Sequence, residues 1–175
     1  LQQQDSIRLA KELAAFELKK QQIAQLRKEM QNHFLDTMST AIASLRLDRA
    51  AHTFIPDKLY QFTQLTELNL SGNQLTQFPK RFSKFKQLKS LDLSKNKLTA
   101  KRIKFRKNKS IEYLDLSGNH LQKLPKSLKK LRALKTLKIS QNQLTTIAQL
   151  SKLKKLTNLE VSENPIILTE KTFEK

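Results

Sequence analysis

One eleven-residue frame recurs five times in this chain at a nearly constant step, and nothing else in the sequence restricts the fold as much. It first reads Leu65-Thr66-Glu67-Leu68-Asn69-Leu70-Ser71-Gly72-Asn73-Gln74-Leu75. It returns as Leu88, Leu91, Leu93, Asn96 and Leu98, and as Ile111, Leu114, Leu116, Asn119 and Leu121. It returns again as Leu134, Leu137, Ile139, Asn142 and Leu144, and last as Leu156, Leu159, Val161, Asn164 and Ile166. The asparagines step by 23, 23, 23 and 22 residues, a regularity far beyond chance.

Leu68 and Leu70 alternate, so they share one face of a short strand. Leu65 and Leu75 flank that strand and turn inward with it. One unit cannot bury these side chains alone, whereas stacked copies make a continuous apolar column. Asn73 and its equivalents sit where the chain bends. A buried bend leaves backbone N–H and C=O groups without partners, and a short amide both donates and accepts. The asparagine series therefore reads as a structural ladder.

The return legs carry a second signal. Phe78-Pro79 and Leu124-Pro125 are followed by Phe82 and Phe85, or by Leu128 and Leu131, at three-residue spacing. Frame and leg together resemble the leucine-rich repeat family, signature L-x-x-L-x-L-x-x-N-x-L, in its 23-residue class with an L-P return leg. The resemblance implies an α/β solenoid: a right-handed superhelix of about six repeats, with a parallel sheet on the concave face and an N-terminal α-helical cap or extension. It also implies a non-enzymatic protein–protein interaction module or scaffold subunit of a larger complex, with no cofactor and no small-molecule substrate.

The repeats are expected over residues 40–166. The unit at 40–63 is degenerate: Ile42, Leu45 and Leu47 fit the strand frame, but Ala50 takes the asparagine slot. Ile55-Pro56, Leu59 and Phe62 complete its leg. Residues 99–110 replace the Phe-Pro pair with Lys101 and Arg102 and predict an irregular leg. Residues 167–175 read as a short C-terminal cap or a truncated end.

Residues 1–39 form a separate segment. Leu9, Leu13, Phe16, Lys20 and Ile23, continued by Leu26, Met30 and Phe34, follow helical spacing without Pro or Gly. The pattern predicts an amphipathic helix of about 25–30 residues, with Asp5 and Ser6 as caps. Asp36 is placed to cap a short second helix over 39–42. A 30-residue helix is about 45 Å long, whereas a strand of three to five residues spans under roughly 20 Å. One helix of that length cannot bury its whole stripe on one repeat edge. Leu26, Met30, Phe34 and Leu35 are therefore expected to cap the first repeat. Leu9, Leu13, Phe16 and Ile23 are expected to contact another chain, although Lys20 interrupts the stripe and disfavours a long coiled coil.

Composition restricts function further. Cysteine is absent, which excludes disulfide and thiol chemistry. His33, His52 and His120 lie in three unrelated contexts, and neither a Gly-rich phosphate loop nor H-E-x-x-H occurs, so no catalytic or metal set is expected. No apolar run approaches the roughly 18 residues a bilayer span needs, and no signal peptide is visible. A first residue of Leu fits a processed exported chain as well as a cytoplasmic one.

The net charge is +19, from 34 basic and 15 acidic residues. Residues 1–35 carry +2 of it and the remainder +17. Outward strand positions place Glu67, Asn69, Asp92, Tyr113, Asp115, Lys138 and Glu160 on the concave face. Glu67, Asp92 and Asp115 form an acidic line there and, with Tyr113, the expected protein contact. Serines 71, 94, 117, 140 and 162 recur as small consensus residues.

The convex legs carry Arg81, Lys84, Lys101, Arg102, Lys104, Arg106, Lys107, Lys129, Lys130 and Arg132, with further lysines from Lys86 to Lys155. This face reads either as a solubilising surface or as a contact for an anionic partner: lipid head groups, lipopolysaccharide or nucleic-acid backbone. Lysine outnumbers arginine and the aromatics look like core anchors, which argues against base-specific recognition.

Overall fold

Strands that must turn at both ends within a 23-residue step are short, and each here has three residues. The computed structural model describes residues 2–79, 81–105 and 108–167. The strands are β1 (Ser44–Arg46), β2 (Glu67–Asn69), β3 (Ser90–Asp92), β4 (Tyr113–Asp115), β5 (Thr136–Lys138) and β6 (Asn158–Glu160). They form one parallel sheet in sequence order. Each central leucine lies beside the next, Leu45 to Leu68 to Leu91 to Leu114 to Leu137 to Leu159. The first five are buried. Leu159 is 38% exposed, so among the described residues the last frame lacks the cover a following repeat gives.

The return legs hold short 3-10 helices at Asp57–Gln61, Phe82–Lys84, Ala100–Arg102, Leu128–Lys130 and Ala148–Lys152. Phe78, Phe82, Phe85 and Phe105 are buried there, with Phe78 4.8 Å from Phe82 and 4.9 Å from Phe105 between ring centres. The first pair is tilted and the second edge-to-face, and such packing adds to what each ring gains from burial.

The asparagines do what the bend requires. Asn96 Nδ2 donates to Leu70 O, Leu93 O and Ser94 O, and its Oδ1 accepts from Leu75 N at 3.0 Å. Asn73, Asn119, Asn142 and Asn164 repeat the pattern. In the degenerate unit, Ala50 N and His52 N both donate to Asn73 Oδ1. His52 thus fills the slot that Leu75, Leu98 and Leu121 fill elsewhere. It is buried, and its Nε2 has no hydrogen-bond partner.

The leg at 99–110 departs further than its basic composition suggested. Ile103 and Phe105 are buried as expected, but Asn108 takes the interior position that Phe85 and Leu131 hold in neighbouring legs. Its Nδ2 donates to Phe85 O at 3.1 Å, and its Oδ1 accepts from the amides of Ser110 and Ile111. Ser127 Oγ stitches the next leg on, donating to Ile103 O and accepting from Phe105 N.

The chain divides into two units, residues 1–38 and 39–175. The first is α1, Gln2–Thr37, 36 residues long. Asp5 and Ser6 therefore lie inside the helix and do not cap it, because the glutamines before them already propagate it. The second helix over 39–42 does not form. Thr37 Oγ1 donates to Phe34 O at 2.8 Å, and Ser39 Oγ accepts from Ala41 N, a local bond that competes with helix.

Candidate functional site

Alternation along each three-residue strand turns the middle leucine inward and its two neighbours outward. Stacking lines these up in two outward columns. The first runs Ser44, Glu67, Ser90, Tyr113, Thr136, Asn158; the second runs Arg46, Asn69, Asp92, Asp115, Lys138, Glu160. Glu67 is therefore not in line with Asp92 and Asp115, as the sequence reading had it. The register pairs Glu67 with Ser90 and Asn69 with Asp92, so the acidic residues are an adjacent pair plus one offset carboxylate. Arg46, at the head of the second column, was missed; it is paired with Asp48 at 3.3 Å.

Asp92 and Asp115 occupy neighbouring strands, which lie about 4.8 Å apart in a sheet. Each carboxylate is held upright by a backbone amide two residues on: Ser94 N to Asp92 Oδ1 at 2.9 Å, Ser117 N to Asp115 Oδ1 at 2.8 Å. Burial pushes the Asp115 carboxyl up from its ordinary range. The Asp92 charge adds to that, while hydrogen bonds from Ser117 and the charge of Lys138 oppose it. Tyr113 is raised as well, first by burial and then by Asp115. The neighbouring cation is shared, because Lys138 is engaged by Glu160 at 2.8 Å and its pKa is raised chiefly by that bond, with Asp115 a smaller cause. Burial with a like charge beside it leaves Asp115 short of positive charge, which is what a cationic group from outside would supply.

On the return legs, Arg81, Lys84, Lys101, Arg102, Lys104, Lys129, Lys130 and Arg132 are all exposed. Arg106 and Lys107 lie outside the described residues. An open hollow lined by Lys126, Lys129, Gln149 and Lys152 lies between two legs. On α1, Leu9 is 68% and Phe16 62% exposed, and Leu13 and Ile23 are exposed too. Leu26 and Phe34, expected to be covered, are exposed at 58% and 51%, whereas Leu35 is buried. A helical step of 100° per residue sets Phe34 and Leu35 on different faces. The side chain of Met30 lies outside the described set. Among the described residues no group of His, Cys, Asp and Glu is placed to hold a metal ion, and no helix is long and apolar enough to cross a membrane.

The profile of a family described as leucine rich repeat matches residues 40–98, 63–121, 99–144 and 109–166. Among solved structures, the chain is similar to the leucine-rich repeat domain of a Shigella effector, at 30% identity and TM-score 0.57, covering 73% of this chain and 52% of that one. It is similar to a leucine-rich repeat protein of Leptospira interrogans, at 33% identity and TM-score 0.51, covering 70% and 37%. An internalin of Listeria monocytogenes, at 20% identity and TM-score 0.59 over 73% and 36%, shares the fold. The chain thus spans about half the length of the Shigella domain and less of the other two. No curated protein matches it significantly.

Proposed function

The chain belongs to the leucine-rich repeat family, and from that premise we propose that it is a non-enzymatic protein-interaction module, a scaffold subunit of a larger complex. Repeat proteins of this build bind through the extended face their stacked strands present. The observation that carries the reading is the Asp92–Asp115 pair beside Tyr113, whose neighbour on the next strand, Lys138, is held by Glu160. A lysine or arginine of a protein partner, laid between the two carboxylates and against the Tyr113 ring, fits that arrangement.

Charge reversal at Glu67, Asp92 and Asp115 tests it. The triple variant is expected to bind a partner identified by co-purification at least about tenfold more weakly. Capture of the same partner at unchanged strength would defeat the concave site. A second contact is supported by the exposed apolar side chains of α1. Deleting residues 1–22 is expected to leave the repeats folded, with an unchanged melt, and to abolish association in the complex. A truncated chain that still assembles normally removes the helix from the interface.

A further inference from the structure

Between residues 74 and 157 the sequence holds 23 basic and three acidic side chains. Two of the acids, Asp92 and Asp115, are on strands, and the third, Glu112, is held by Lys135 at 2.6 Å. The return legs are therefore almost purely cationic, and the register arranges their charges in files. Lys86, Lys109, Arg132 and Lys154 each lie four residues ahead of a paired strand position: Ser90, Tyr113, Thr136 and Asn158. The alignment persists through the irregular leg, because Asn108 Nδ2 bonds Phe85 O and Ser110 Oγ bonds Lys86 O. Lys84, Lys130 and Lys152 form a parallel file six residues ahead of their strands, and all seven residues are exposed.

Side chains in adjacent repeats of one file reach each other. Gln87 Nε2 donates to Gln64 Oε1 at 2.7 Å, and Lys135 Nζ to Glu112 Oε2 at 2.6 Å, each across 23 residues. Four cations stacked at that spacing repel, and a chain of anions threaded along them relieves every neighbouring pair. The hollow of Lys126, Lys129, Gln149 and Lys152 sits beside the end of the second file and can seat one such anion.

We infer that the two files are a binding track for the phosphodiester backbone of a single-stranded nucleic acid, held by its phosphates without readout of the bases. The files are linear, and the first carries one charge per repeat from Lys86 to Lys154, which matches a linear polyanion better than a plane of head groups. Among the described residues between Arg81 and Lys155, no large apolar side chain is exposed to enter a bilayer. The phenylalanines of these legs are buried, so no ring is free to stack on a base. A flexible single strand can adapt its phosphate spacing to the file, which a stiff duplex does less well.

The test compares the unaltered chain with a variant carrying Lys86→Ser, Lys109→Ser, Arg132→Ser and Lys154→Ser. The control carries Lys11→Ser, Lys19→Ser, Lys97→Ser and Lys123→Ser, an equal loss of charge at exposed positions off the files. The probe is a fluorescein-labelled oligothymidylate of about 20 nucleotides, read by anisotropy from roughly 50 to 200 mM salt. The file variant is expected to lose at least about tenfold in affinity near 100 mM salt. Its plot of log K against log salt is expected to flatten by about three units, at about 0.7 per phosphate contact on a single strand. The control is expected to keep most of the affinity, and an oligoadenylate to bind like the oligothymidylate. Equal loss in variant and control overturns the track in favour of bulk charge. File-dependent binding of phosphatidylserine vesicles or heparin with none of the oligonucleotide overturns the choice of ligand. Circular dichroism checks that the variant is folded; if it is not, Arg132→Ser alone is expected to lower the slope by about 0.7, and no change overturns the proposal.

Discussion

Asn96 shows how much one amide does in this fold. Replacing it with Ala leaves the Leu75 amide unpaired and takes one of two donors from each of Leu70 O, Leu93 O and Ser94 O, which keep Asn73 Nδ2, Asn119 Nδ2 and Gly72 N, so Asn96→Ala is expected to cost about 1–3 kcal/mol in urea unfolding. The residue before each ladder position is in the left-handed region, with φ between 53° and 64° at Arg49, Gly72, Lys95, Gly118, Gln141 and Glu163. Only two of these six are glycine, so the turn is built at a local cost in four repeats. A Cβ at Gly72 would meet Arg49 Cγ at 3.0 Å, and Gly72→Ala is expected to lose about 1–2 kcal/mol, whereas Gln141→Gly raises the melting temperature. His52 predicts a pH effect. Burial lowers its pKa in the folded chain, while the unfolded chain takes up a proton near pH 6.5. Below that pH the unfolded state binds more protons, so stability falls as pH falls, by up to about 1.4 kcal/mol per unit, until the folded pKa is reached. His52→Leu should flatten the difference between melts at pH 7.5 and pH 5.5; a mutant with the same slope as the parent would place the effect elsewhere.

At the scale of elements, the strands are uniform and the legs are where repeats differ. Phe82, wedged among Phe78, Phe85 and Phe105, ties two legs, and Phe82→Ala is expected to cost about 3–5 kcal/mol. The leg from 99 to 110 contributes Phe105 to that cluster and adds polar stitching to it. Ser127→Ala removes both the donor to Ile103 O and the acceptor for Phe105 N, for an expected loss of about 1–2 kcal/mol. The Leu-Pro legs were legible from their three-residue spacing. Asn108 was not, because a polar residue in a basic stretch reads as surface until its neighbours are known.

Over the central repeats, charge separates by face: Asp92 and Asp115 lie on the strands, Glu112 is held by Lys135, and the cations crowd the legs. Such crowding destabilises the compact state and is screened within about 10 Å at 0.1 M salt. Raising salt from roughly 20 to 150 mM is therefore expected to raise the melting temperature by about 2–4 °C for each kcal/mol of relief. The strand face carries its own tension. Asp115 has a raised pKa in the folded chain, so its ionised form at neutral pH opposes folding. Asp115→Asn should raise stability at pH 7, with no such gain at a pH low enough to protonate the native aspartate, and should weaken partner binding; a neutral-pH melt that drops would show that the carboxylate supports the fold.

The repeat step, the strand positions, the leucine column, the asparagine ladder and hence the fold were all readable from the chain, because each depends on spacing along it. A period of two and a step of 23 residues are local properties, and they leave one way to stack. The step itself sets Glu67 beside Ser90 and Asn69 beside Asp92, so the offset of Glu67 was legible in the chain. Which charged neighbours close into pairs depended on side-chain geometry across repeats, which is why Lys138 was claimed by Glu160. Burial was likewise settled by what packs from adjacent repeats, as for His52 in a leucine slot and Asn108 in a phenylalanine slot. Residues 23 apart are strangers in the sequence and touch only once the solenoid has closed, so the chemistry of both faces was decided there.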